Sequence, residues 1–129
     1  MSELAAFWAI CAAAKEKLDV TFNAPDLIPY GAKIVDLVVA NPDKRGEFID
    51  ALVEAALDRE RCDPWVVEFC AHALRWPELK TRFIELYRAA VRANDWNKEP
   101  VLRHITGAFE DDWENSSDFY SSYFKGPET

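Results

Sequence analysis

Carboxylates are the side chains best placed to do chemistry in this sequence. Asp43, Glu47, Asp50, Glu54 and Asp58 follow one another at spacings of 4, 3, 4 and 4, which on a helix sets all five on one stripe. Like charges so placed cost a few tenths of a kcal/mol per neighbouring pair, about 1 kcal/mol for the row. A second concentration is Glu110, Asp111, Asp112, Trp113 and Glu114, followed by Asn115, Ser116, Ser117 and Asp118. Acidic rows of this kind speed the encounter with a positively charged surface and fix its register. Trp113, with Tyr120 and Tyr123, adds the amphipathic area that binding hot spots favour. A structural reading stands beside each: a solvated face cross-linked by Lys44, Arg45 or Arg59, and a capping loop in which Ser116 or Ser117 starts a last helix.

Other chemistry finds less support. His72 and His104 are the only imidazoles, and both fall inside helical segments where a single histidine is packed more often than catalytic. Cys70 and His72 stand two residues apart and point in different directions from a helix, so with Cys62 they do not converge on a metal. The chain has no G-x-S-x-G, Walker loop, dinucleotide fingerprint or H-E-x-x-H. The expectation is therefore no catalytic residue, no metal and no cofactor. Cys11, Cys62 and Cys70, odd in number and irregularly spaced, read as reduced thiols packed like small apolar side chains, which suits the cytoplasm.

The composition limits the partners. Of 129 residues half are hydrophobic, enough for one domain with a core, and 23 acidic against 15 basic side chains leave a net charge of −8. That sign argues against nucleic acid and anionic membranes and favours a basic protein. Acidic residues dominate both ends, whereas 64–109 carry 7 basic and 5 acidic side chains. The apolar run from Leu4 to Ala14 follows Glu3 rather than basic residues, unlike a secretion signal. No run approaches the roughly 20 apolar residues that cross a bilayer.

A repeat must position these groups. Pro29, Pro64 and Pro100 lie 35 and 36 residues apart, each ahead of an apolar stretch with helical spacing. Ile34 and Val38 are matched by Phe69 and Ala73, then by Ile105 and Phe109. An independent series pairs Pro42-Asp43 with Pro77-Glu78, and Phe48-Ile49-Asp50 with Phe83-Ile84-Glu85, again at 35; Phe119-Tyr120 follows at 36. The pattern predicts an N-terminal helix over 2–18, a loop at 19–26, and helix pairs at 28–40 with 43–60, 64–75 with 77–93, and 100–110 with 116–124. Trp96, in the turn from Asn94 to Asn97, either extends the acidic and aromatic patch of Trp113 or closes the core, and the usual burial of tryptophan favours the core.

A proline early in a helix, an acidic residue beside it, and helix pairs at this period resemble the HEAT-like helical repeats. The resemblance implies an all-α, short right-handed α-solenoid of about three helix pairs with an N-terminal capping helix. One domain, 1–129, would comprise a helix and loop (1–25), repeat units 26–62, 63–98 and 99–124, and a tail (125–129). It also implies that second helices line the concave face, which would carry the acidic stripe, continued by Glu78 and Glu85 and interrupted by Arg82, Arg88 and Arg92. Small size, acidity and the closing 108–114 also look like small bacterial immunity or antitoxin-type proteins.

Three functions follow from this. The first is a non-catalytic binding module, an acidic immunity-type inhibitor occluding a basic toxin or nuclease. The second is a self-associating adaptor, such as a homodimer, burying Trp8, Trp65 and Tyr123. The third, favoured least, is an enzyme or ligand binder using an acidic cleft.

Overall fold

Proline and its neighbours set the helix starts. In the computed structural model, which describes residues 2–21 and 24–110, Pro64 is the first residue of a helix whose cap, Asp63, accepts the Trp65 N–H at 2.9 Å. That bond satisfies one of the N–H groups a helix start leaves unpaired, and proline has none to lose there. Trp76 is held extended ahead of Pro77 (ψ 128°), as the proline ring requires of its predecessor.

The described residues form six α-helices: α1 Glu3–Thr21, α2 Ile28–Ala40, α3 Arg45–Leu57, α4 Pro64–Leu74, α5 Pro77–Arg92 and α6 Glu99–Gly107, with short 3-10 turns at Ala24–Leu27 and Pro42–Lys44. No strand occurs among the described residues, which are all-α. The five helices after α1 fall where the 35-residue series puts them. Several boundaries differ. α1 runs on to Thr21, into the stretch 19–26 expected as a loop, whose far end winds as the 3-10 turn Ala24–Leu27, and α6 stops at Gly107 where a helix to 110 is expected. The helix expected over 43–60 begins only at Arg45, because Pro42–Lys44 winds as a 3-10 turn. It ends at Leu57, because Asp58 leaves helical geometry and its carboxylate accepts the Glu60 N–H at 3.1 Å, a local turn that competes with the helix. The predicted helix at 116–124 lies outside the described residues.

Equivalent helices of successive pairs are neighbours. The first helices form one layer, α2 against α4 and α4 against α6, while α3 lies beside α5 and α1 covers α2 and touches α3. The repeat positions account for the core: Ile34, Phe69 and Ile105 are all buried, and so are Phe48 and Phe83. Phe7 from α1 joins them, its ring centroid 6.3 Å from that of Phe48. Each such aromatic contributes roughly 1.5–3 kcal/mol by leaving water. Close approach of α2 to α4 depends on Gly31, where a Cβ would stand 2.4 Å from Phe69 Cδ1.

The three cysteines converge as well as being buried. Cys11 of α1, Cys62 of the α3–α4 loop and Cys70 of α4 are free and inaccessible. A hydrogen bond to Cys11, with burial second, pushes the Cys62 thiol far above the ordinary range, and burial does the same to Cys70. They are inert packing groups. His72 is structural too. Arg75 Nη2 donates to its Nε2 at 3.0 Å, so the ring proton sits on Nδ1 and is given to the Ala108 carbonyl at 2.6 Å, tying α4 to the end of α6.

Candidate functional site

α3 is half sunk in the core and half open. Seven of its thirteen residues are buried, and the side that remains open presents Glu47, Asp50 and Glu54, with Gly46 and Leu57 at the ends. The acidic stripe exists on the helix as these three. Asp43 precedes it on the 3-10 turn, exposed, and Asp58 follows it, half-buried and engaged in its own turn. Glu110 is exposed and its carboxylate lies 3.3 Å from Lys80 Nζ, on α5. Asp111, Asp112, Trp113 and Glu114 lie outside the described residues.

The stripe meets partners within the chain that differ from those its sequence neighbourhood suggests. Asp50 pairs with Arg82 of α5 at 2.8 Å and Glu54 with Arg61 of the following loop at 3.0 Å. Arg45 reaches across to Glu78 at 2.8 Å, which holds the Glu78 carboxyl below its usual range. Lys44 bonds Glu3 of α1 at 2.8 Å, lowering the Glu3 carboxyl and raising the Lys44 ammonium. Among the described residues, Asp43 and Glu47 enter none of these pairs. The α3–α5 face is thus a charge lattice in which exposed pairs, screened by water, sit beside carboxylates outside those pairs.

Aromatic side chains are woven into the same lattice. The Arg61 guanidinium lies 3.6 Å from the Trp8 ring centroid, and that of Arg45 lies 4.0 Å from that of Trp76. Trp8, expected as an exposed dimerising residue, is therefore half-covered from within; Trp65 is half-buried too. Trp96 reverses the other way. Expected in the core, it is 73% exposed. Its turn explains this: Asn94 takes a left-handed backbone (φ 54°), and the Asp95 carboxylate caps the Asn97 and Lys98 N–H groups, so the chain swings outward before α6.

Sequence reasoning missed a cavity of about 260 Å³ between the starts of α4 and α6, walled by Asp63, Trp65, Glu68, Pro100, Val101 and His104. Glu68 is only 4% exposed, and burial lifts the Asp63 carboxyl above its ordinary range against the lowering pull of the Trp65 N–H. The signal available was Glu68 itself, the one charged residue inside the apolar run Val66 to Leu74 apart from His72. The wall carries acids, an imidazole, an indole and the Arg59 guanidinium but, among the described residues, no Ser, Thr, Cys or Lys to serve as nucleophile. Among the described residues no group of His, Cys, Asp and Glu is arranged to hold a metal ion, and no helix is long and apolar enough to cross a membrane. No protein-family model, curated protein or solved structure matches the chain.

Proposed function

We propose that this protein is a non-catalytic binding module that docks a basic protein through the α3–α5 face and occludes it, in the manner of an immunity-type inhibitor. The observation that carries the reading is the open side of α3, where a helix otherwise buried exposes carboxylates in a row. The net charge of −8 supplies long-range attraction to a cationic surface. The pairing of α2 with α4, α4 with α6 and α3 with α5 supports a HEAT-like solenoid, in which successive second helices form the binding surface. Residues 111–114 would add acidic and aromatic contact from the C-terminal side.

Basic proteins captured from the source cell at low salt and released at high salt test this. The expected result is one basic protein, whose association with the Glu47→Lys, Asp50→Lys double variant is slower by about tenfold or more at low ionic strength, since rim charges act mainly on encounter rate. Capture insensitive to both salt and charge reversal would overturn the reading. Recovery of the protein alone, with a mass that rises with concentration, would replace it by self-association.

A further inference from the structure

We propose that the cavity at the α5–α6 turn receives an arginine side chain of the basic partner, stacked on the Trp96 indole with its guanidinium facing the Glu99 and Asp95 carboxylates. The cavity, about 320 Å³, is lined by Tyr87, Val91, Asp95, Trp96, Glu99 and Arg103. Trp96 is the only exposed aromatic side chain among the described residues. An indole held out in water at the mouth of a cavity is what interface hot spots are built from.

The same chain shows what such an indole accepts. Arg61 stacks on Trp8 while pairing with Glu54, and Arg45 stacks on Trp76 while pairing with Glu78. Tryptophan, arginine and glutamate thus recur together twice on this surface. Trp96 and Glu99 supply the tryptophan and the glutamate a third time, and among the described residues no cation lies over the Trp96 ring. Arg103 lines the cavity but meets Glu99 only at 3.8 Å. Lys98 Nζ stands equally far from Asp95. Both carboxylates keep acceptor capacity, since each offers about four lone-pair positions. The planar guanidinium can lie on the ring and donate two N–H groups to one carboxylate, which an ammonium cannot.

The inference rests on the basic-partner reading, and the surface joins the two. Leu57 follows the acidic row on α3, and from it a groove walled by Leu86, Ala89, Ala93 and Leu102 runs to Ala90 and Asp95 at the cavity. One partner can cover the row, the groove and the cavity together.

A labelled nine-residue peptide of alternating arginine and glycine, with lysine and citrulline counterparts, probes the site by fluorescence anisotropy at low salt. Wild type is expected to prefer the arginine peptide, and Trp96→Ala to weaken it about three- to thirtyfold. Glu99→Gln should also weaken it, and the loss on Trp96→Ala should shrink for the lysine peptide. Because the indole is exposed, Trp96→Ala should melt with wild type. Equal affinity of Trp96→Ala and wild type, or no binding of the arginine peptide to wild type, overturns the inference. Glu47→Lys and Asp50→Lys in the same assay separate it from the wider reading. Loss there with none at Trp96 leaves the acidic face standing and removes the cavity; the reverse removes the face and keeps the cavity.

Discussion

Gly31→Ala puts a methyl carbon 2.4 Å from Phe69 Cδ1 and 2.9 Å from its Cγ and Cε1, against ordinary carbon contacts of about 3.5–4.0 Å. Relief requires about 1 Å of movement by a ring that is 2% exposed, or by the α2 backbone. Opposing this, alanine is about 1 kcal/mol better than glycine inside a helix. Overpacking costs about 1–3 kcal/mol, and a rigid buried ring at this distance belongs at the upper end, so the net loss should be about 1–2 kcal/mol. Interpolating between domain sizes, that lowers Tm by roughly 3–10 °C in a chain this long. Urea unfolding followed by far-UV circular dichroism measures it, and a double-mutant cycle with Phe69→Leu should recover at least about 0.5 kcal/mol as coupling. A Gly31→Ala protein more stable than wild type would refute the close approach of α2 to α4, and with it the stacking of successive first helices.

Three further outcomes follow from the same contacts. Asp63→Asn keeps an amide oxygen for the Trp65 N–H while removing a carboxyl lifted by burial. In wild type the folded state holds that proton more tightly than the unfolded chain, so this group's contribution to stability falls as pH rises from the unfolded carboxyl value through the lifted one. Melts across that interval should show the fall in wild type and its loss in Asp63→Asn, and identical slopes would discount the burial of Asp63. The three thiols should react with a disulfide reagent only after urea exposes them, and rapid labelling of any in the native protein would contradict their burial. Arg61→Ala removes a ring contact with Trp8 and a pair with Glu54, with an expected cost of about 1 kcal/mol by thermal unfolding; the same loss in a Trp8→Leu background would show that the stacking contributes nothing.

The elements were legible because each rests on local chemistry that the sequence displays. Pro64 after Asp63, and Pro77 after a bulky residue, name a helix start whatever surrounds them. The repeat then identifies the core, since Ile34, Phe69 and Ile105 must all point the same way if their helices are equivalent. Boundaries were less legible where two local preferences compete: Asp58 was counted with the stripe by its spacing, yet its carboxylate stabilises a turn that ends the helix. The site was legible only in part, because contacts between residues thirty or more apart leave no periodic trace. Nothing in sequence couples Asp50 to Arg82, Arg61 to Trp8, or Asp63 to His104. Trp96 was misjudged for a related reason, since tryptophan's preference for burial yields to a left-handed turn at Asn94 and a cap at Asp95.

Internal pairing of the acidic row does not disqualify it from binding. In the Asp50–Arg82 pair the side chains are 71% and 43% exposed, and in the Glu54–Arg61 pair Glu54 and Arg61 are 59% and 44% exposed. Such pairs contribute about 0–1 kcal/mol each, so exchanging the internal arginine for a partner's costs little. The exchange also changes what the arginines do. On the proposed reading, Arg82 released from Asp50 would face the partner as a positive point within an acidic field, and a partner surface of uniform positive charge would meet repulsion there. A complementary partner would then carry an acidic group opposite Arg82, and charge reversal at Arg82 should discriminate between partners while leaving nonspecific attraction to any cationic surface increased. If Arg82→Glu instead tightened every basic protein tested by the same factor, the row would act only through net charge, and the register proposed for the α3–α5 face would be wrong.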